Sequence, residues 1–379
     1  MKKILFITTR NPYSGRYSGD VIRAFKIINF LKKKNKVDII FLSKKDEVKK
    51  IKKDKGSYFF IYPNLFLKIL YCVFNLFRIK PMQFGFFFSK NMFNLIKKKA
   101  NNYDLLFFHQ IRSSQYLPKN FKGKVVLEMG DLYSENYFQT FKNLSYINFF
   151  KYIYLIESLL VKKIERKLFS YFNKIILFSK SEIKKVSKKF RKKIHYIGES
   201  TELINKKYLY SKKNYKILFI GNLGYVPNIL ACKDFIKNIL PKIKNDIPEI
   251  QFHIIGNINR IDKFLFSFYK NVKILGPQKK LEKHVKGSIC GMANLKIATG
   301  VQGKILTYMS YGLPVICSKR TSKNFNNDVL SYSNDNDLIN KIYNLKNNKK
   351  FSEKFSKKSL ACIRKLSWSK ISLGYLKVI

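Results

Sequence analysis

Short apolar runs bounded by polar turns alternate along the chain with longer stretches whose apolar positions recur at helical spacing. Residues 3–8, 37–42, 103–109, 124–127 and 174–179 read as buried strands, and 19–34 and 144–169 between them read as amphipathic helices. The pattern restarts at 215–220 and continues through strands at 251–256 and 272–276, with a helix over 234–240. Strands separated by helices predict an α/β class with two doubly wound parallel sheets. The polar stretch 198–214 divides them as a linker. The expected organisation is a first domain over 1–197, a second over 215–362, and a terminal helix over 363–379 that carries the chain's one tryptophan, Trp368.

Residues 293–317 combine a strand, a small-residue loop, a short helix and another strand without an intervening spacer. Ala298-Thr299-Gly300-Val301-Gln302-Gly303 leads into a helix with Ile305, Leu306 and Met309 on one face, and Gly312 and Pro314 stop it. Glycines at 300 and 303 let backbone approach a ligand, and the first amides of the helix are unpaired donors at its positive end. Lys304 in that first turn is opposed by the helix dipole, so it implies negative charge arriving from elsewhere, with phosphate the natural candidate. The plainer alternative is an ordinary turn with a solvated lysine. The spacing does not fit a Walker loop.

The same stretch, A-N-L-K-I-A-T-G-V-Q-G-K-I-L-T-Y-M-S-Y-G-L-P-V-I, resembles the donor-binding signature of family 4 retaining glycosyltransferases of the GT-B fold, A-P-L-R-x-A-x-G-I-Q-N-K-V-L-E-A-M-A-x-G-x-P-V-V. The resemblance implies two Rossmann-like domains facing a central cleft, the first binding acceptor and the second a nucleotide sugar, with the terminal helix 363–379 packing back on the first domain. It also implies transfer with retention from a nucleotide-diphosphate sugar to a glycan or polyprenyl-linked acceptor, as in cell-surface polysaccharide synthesis. Where the family brackets this loop with a Glu-x7-Glu pair, this chain has Thr299 and Thr307. A threonine hydroxyl carries no charge, so ribose binding through Thr307 is expected to be weaker. Residues 221–228, G-N-L-G-Y-V-P-N, are similar to the family loop that approaches the donor phosphates through Gly221 and Gly224. The nucleobase is implied to lie by Gly276-Pro277-Gln278, where the usual acidic residue further on is replaced by Lys279 or Lys280.

In the first domain, Gly19-Asp20 with Arg23 stand where the family often has G-D-x-x-R, and Arg23 is alternatively a helix-surface charge. His109 matches the family histidine in D-x-x-x-x-H. It ends a strand in an α/β domain, where ligands bind. Arg112 follows as a contact for an anionic acceptor or for solvent. Glu128 and Asp131, at the expected end of the 124–127 strand, are candidates to orient acceptor hydroxyls or to serve as base; caps and ion pairs with lysines are the plainer reading. Glu165 reads as structural. His109, Lys304 and Asp131 are thus the catalytic candidates. The donor candidates are Gly221, Gly224, Gly276, Gln278, Thr299–Lys304 and Thr307.

Residues 59–99, rich in Phe and Leu with basic flanks, read as one or two helices packed on the first domain, or as a patch dipping into lipid. The most apolar part, 64–79, is about 16 residues broken by Lys68, short of the roughly 20 that span a bilayer.

Charge changes the picture further: 76 Lys and Arg against 23 Asp and Glu give a net charge of +53, a field attractive to any polyanion. An AT-rich coding sequence explains part of this excess, and an anionic membrane surface is the partner that best fits the rest. No nucleic-acid recognition motif accompanies the charge, so nucleic acid is not expected as a partner. The cysteines, five in all, form no C-x-x-C pair and no metal cluster with the four histidines, pointing to a reducing compartment. No D-x-D motif sits at a strand end, so neither a divalent metal nor another cofactor is expected. MKKILFITTR lacks the long apolar core of a signal peptide, so the chain is expected in the cytoplasm, and its charge adds a position peripheral to the membrane's inner face as the alternative to a free one. A non-catalytic GT-B binding protein is the competing reading, favoured by the two threonines.

Overall fold

The alternation of strands and helices builds two all-parallel sheets. The computed structural model describes residues 1–15, 19–48, 56–201, 204 and 208–379. Part of the expected first loop (16–18), of the lysine run 44–55 (49–55) and of the linker (202, 203 and 205–207) lies outside the described residues.

The first unit comprises 1–141, 145–197 and 372–379. Its strands are β1 Lys3–Thr8, β2 Lys36–Ser43, β3 Ser57–Ile61, β4 Leu105–His109, β5 Lys124–Gly130, β6 Lys174–Leu177 and β7 Ile194–Tyr196, in the order 3-2-1-4-5-6-7. Ile4, Leu5, Phe6 and Ile7 are all fully buried, as are Leu106, Phe107 and Phe108. Helices on both faces leave no polar side to these strands, which is why they read as continuous apolar runs. Among those helices are α1 Gly19–Lys32, α2 Leu65–Phe77, α3 Met82–Phe86, α4 Lys90–Lys99 and α5 Phe150–Tyr171. Strand order reverses between β1 and β4, whose register pairs Thr8 with His109 and, on the next strand, His109 with Glu128. The carboxyl ends of these strands form the switch point at which doubly wound sheets open a crevice.

The second unit, 142–144 and 198–371, repeats the plan. Its strands are β8 Lys216–Ile220, β9 Gln251–Ile255, β10 Val272–Gly276, β11 Ser288–Ala293, β12 Val315–Ser318 and β13 Leu330–Tyr332, in the order 10-9-8-11-12-13. Helix α6, Val226–Asp234, follows β8, α7, Gly303–Ser310, follows β11, and α8 is Lys349–Lys365. The switch point lies between β8 and β11, so the loops 221–225 and 294–302 meet there.

Several elements depart from expectation. Residues 59–99 hold three helices and most of an edge strand, because Asn64 and Ser89 cap new helices where one or two were expected. Strand β5 runs on to Gly130, so Glu128 lies inside a strand. The helix expected over 234–240 starts at Val226 and passes through a π turn, Phe235–Ile239, into Leu240–Asp246. The terminal stretch 363–379 is not one helix: α8 ends at Lys365, a single turn spans Trp368–Ile371, and only Ser372–Ile379 belongs to the first unit.

Candidate functional site

In the second unit, three strand ends present glycine in a row. The Gly221 amide donates to Ile255, and the Gly256 amide donates to Gly276 at 3.0 Å. Gly256 has φ +144°, and a Cβ there would stand 1.9 Å from the Gly221 carbonyl oxygen, so no side chain fits. A Cβ on Gly221 would meet Asn228 at 2.8 Å and the Lys304 ammonium at 3.1 Å. The strand ends are therefore bare backbone, with the Lys304 ammonium beside them.

Lys304 leaves the first turn of α7 and turns inward. Its Nζ donates to Asn228 Oδ1 at 2.7 Å and sits 3.7 Å from the centre of the Phe219 ring. Asn228 is held in turn by its Nδ2 donating to the Asn222 carbonyl at 2.8 Å, while Asn222 Oδ1 accepts from the Gly224 amide at 3.0 Å. Among the described residues no carboxylate pairs with Lys304. Burial pushes its pKa down from 10.5 to about 7. A cation held in a dry site by one amide oxygen and one aromatic face is poised for an anion.

Behind it, Tyr308 braces α7 against the sheet. The Ile220 amide donates to its hydroxyl at 2.7 Å, and the hydroxyl donates to the Met292 carbonyl at 3.2 Å. The ring fills the space over Gly291, where a Cβ would lie 2.2 Å from it. Gly300 adopts φ +60°, and its carbonyl accepts from Asn324 at 2.6 Å. Gln302 Nε2 donates to the Thr299 carbonyl at 2.8 Å, Thr299 itself being buried. The Thr307 hydroxyl donates to the Gly303 carbonyl within its own helix, and Val301 is half-buried against the core under α7. A Cβ on Gly303 would meet nothing. Gln278 folds back, donating to the Leu275 carbonyl at 2.6 Å and lying 3.2 Å from the His284 ring.

In the first unit, His109, Glu128, Arg23 and Asp20 come together. Glu128 Oε2 lies 2.7 Å from His109 Nδ1, and Arg23 Nε donates to Oε1 at 2.6 Å. Tyr375, from the chain's last residues, donates its hydroxyl to the same carboxylate and accepts from Arg23 at 2.8 Å. The Arg23 guanidinium also stacks 3.8 Å from the Phe178 ring centre, so Arg23 is buried and not a charge on the helix surface. Burial alone would raise the Glu128 pKa, but Arg23, His109 and Tyr375 outweigh it and hold it at about 2. His109 Nε2 faces the Asp20 carbonyl at 3.0 Å. Both ring nitrogens are thus occupied by groups of this unit. The Asp20 carboxylate accepts from Arg10 at 2.8 Å and Gln110 at 3.0 Å, with Gly19 opening the helix before it.

Two candidates stand apart. Arg112 donates to Gln83 Oε1 at 2.8 Å and stacks near Phe87 and Tyr133. Asp131, half-buried after β5, neighbours Glu182; burial and then Asp131 push the Glu182 pKa up to about 9. Glu165 accepts from the Ser134 amide at 3.1 Å, as a structural cap should.

Sequence reasoning placed Asn222 and Asn228 in the donor loop without assigning them a partner, and it missed Gly256, Tyr308 and Tyr375. Glycine inside a strand, as at Gly291, does signal close approach of something bulky. The tyrosine that approaches it is not specified by that signal.

The chain was compared with known families, curated proteins and solved structures. Residues 214–348 match the family model described as Glycosyl transferases group 1. No curated protein sequence matches the chain. Among solved structures, the lipopolysaccharide outer core galactosyltransferase WaaB is 14% identical, with a TM-score of 0.58, over 99% of this chain and 98% of its own. TarM is 13% identical, with a TM-score of 0.67 over 100% and 98%. HepE from Anabaena, in complex with UDP and glucose, is 12% identical with a TM-score of 0.66 over 100% and 99%. The chain therefore has the GT-B fold of these glycosyltransferases, and its second unit is similar to the group 1 glycosyl transferases.

Proposed function

We propose that the protein is a glycosyltransferase that moves a sugar from a nucleotide-diphosphate donor to a glycan or lipid-linked acceptor in cell-surface polysaccharide synthesis. The observation that carries this is Lys304: a buried lysine with no carboxylate partner among the described residues, its pKa lowered by burial, beside bare strand ends and a helix N-terminus. Breaking a sugar–diphosphate bond builds negative charge on the leaving phosphate. Lys304 and the first amides of α7 stabilise that charge in a dry setting, where such contacts are strongest, and take the place of a metal. The HepE and TarM structures with UDP favour a uridine donor. On the first unit, Arg112 and Asp131 are the groups we assign to the acceptor, while Arg23, Glu128 and Tyr375 hold His109 in place. Transfer is read as retaining and takes place in the cytoplasm.

A thermal-shift panel of UDP, GDP and ADP on the wild type and Lys304→Ala tests the site. One nucleotide at about 100 times its Kd stabilises by roughly 2.7 kcal/mol, and the variant loses that gain. A second reading, a GT-B protein that binds without transferring, is favoured by Thr307, whose hydroxyl proton is already given to Gly303. Nucleotide binding without release of sugar from any donor would establish it.

A further inference from the structure

A cavity of about 370 Å³ opens in the second unit between the helix Arg260–Ser267 and the helical stretch that follows β8, and no donor-site candidate lines it. That volume falls within the range of ligand pockets, about 300–1,000 Å³. One wall is the π turn Phe235–Ile239, which supplies Ile236 and Lys237. Pro241 has no amide to give the Lys237 carbonyl four residues before it, so a regular α-helix cannot run through. The Leu240 amide closes the wider turn on the Phe235 carbonyl instead. Leu265, Phe268 and Tyr269 form the other wall.

The helix Arg260–Ser267 stands apolar side out. Asn259 caps it, its Oδ1 accepting from the Asp262 amide at 2.7 Å. The Asp262 side chain is buried with Phe266, and its carboxylate pairs with Lys233 at 2.7 Å. Ile261, Phe264, Leu265 and Phe268 follow one another at i, i+3, i+4 and i+7 and are exposed, Ile261 by 74% and Phe268 by 68%. The Phe264 and Phe268 rings meet edge to face with centres 5.0 Å apart, so Phe264 extends the apolar lining outward from the cavity. Apolar side chains gathered in this way on a surface mark a contact site.

We propose that this cavity is the docking site for an acidic amphipathic helix of a partner protein, which seats a large apolar side chain between Ile236 and Phe268. Charge selects that occupant. Lys237 in the cavity wall, and Arg260, Lys263 and Lys270 along and just past the neighbouring helix, are exposed and have no carboxylate partner among the described residues. The acids of α6 and of that helix, Asp234 and Asp262, are already taken by Lys296 and Lys233. A concave apolar site takes a protruding anchor, which a bilayer surface does not offer. A second copy of this chain, itself at +53, is repelled. Recognition of a helix in a groove sets the pattern expected in the partner, apolar residues at i, i+3 or i+4 and i+7 with acids flanking them. The inference goes beyond sugar transfer and does not rest on it.

The test is selection on the full chain from a phage-displayed library of helical peptides of about 15 residues, four turns. Two variants, Ile261→Asp with Leu265→Asp and Phe264→Ser with Phe268→Ser, change exposed side chains alone, and an unchanged melting temperature shows that they remain folded. Recovered peptides carry the apolar spacing with Asp and Glu on its flanks, and bind each variant at least about tenfold more weakly than the wild type. Lys237→Glu with Lys263→Glu weakens binding at low salt and much less at high salt. Scrambled peptides of the same composition bind at least about tenfold more weakly, which separates the groove from the general attraction of a chain at +53. A selection that recovers nothing, peptides that bind either variant like the wild type, or scrambled peptides that bind as well overturn the proposal. So does a face that the variants show to hold anionic vesicles or a second copy instead of the peptides.

Discussion

Lys304 should take up a proton when a diphosphate binds, and the size of that uptake follows from its surroundings. With its pKa lowered from 10.5 to about 7 by burial, the side chain is largely neutral at pH 8. A diphosphate beside Nζ favours the ammonium and returns the pKa toward its ordinary value. Binding at pH 8 therefore absorbs about 0.9 proton, and at pH 6 about 0.1. Affinity falls about tenfold per pH unit above 7, until the pKa of the bound state is reached. Removing the side chain in Lys304→Ala deletes charge-assisted contacts of about 2–4 kcal/mol, so UDP binds roughly 30- to 1,000-fold more weakly. The free variant gains stability at neutral pH. Between about pH 7 and 10.5 the unfolded chain holds the Lys304 proton and the folded chain does not, so wild-type stability rises with pH across that window. At pH 7 the charge costs on the order of 2–4 kcal/mol, which the variant recovers less any cavity term. Calorimetry of UDP binding at pH 8 in buffers of different ionisation enthalpy reads the uptake directly. Tight UDP binding by Lys304→Ala, or no proton uptake by the wild type, would mean that Lys304 does not meet the diphosphate.

Gly221→Ala places a methyl 2.8 Å from Asn228 and 3.1 Å from Lys304, displacing the ammonium; UDP affinity drops about tenfold or more in the same calorimetry while the melting temperature changes little. Glu128 has a folded pKa of about 2, below its unfolded value, so its contribution is present above about pH 4.5 and is lost as pH falls toward 2. Glu128→Gln leaves Arg23 buried without its charge partner, costs about 3–5 kcal/mol at pH 7 by chemical denaturation, and removes that acid sensitivity. Glu165 behaves oppositely: burial raises its pKa to about 7, so its neutral form contributes stability below about pH 4.5 that is lost as pH rises through 7. Glu165→Gln should raise the melting temperature at pH 8 and leave it nearly unchanged at pH 4.

The strands were legible because both faces of each sheet are covered, so the apolar runs 3–8 and 215–220 had no other place to go. The loop before α7 was legible because glycine at 300 and 303, a lysine and a helix stop follow in direct succession. Asn228 was not, because its pairing with Lys304 joins residues 76 positions apart on different helices. Tyr375 lies 247 residues from Glu128, and nothing in its neighbourhood announces a buried carboxylate. For α2 the sequence left two readings open, because its periodicity shows which side is apolar but not that Lys68, Tyr71, Cys72 and Asn75 are the half-buried side.

Sugar transfer from a nucleotide donor through the second unit is tested by nucleotide release from UDP-, GDP- and ADP-sugars by the wild type and Lys304→Ala, with a lipid extract supplied as acceptor. One donor should be consumed only when extract is present, labelled sugar should appear in the lipid or glycan fraction, and the variant should lose most of this activity. A folded wild-type protein that binds a nucleotide but transfers no sugar from any of the three donors contradicts it.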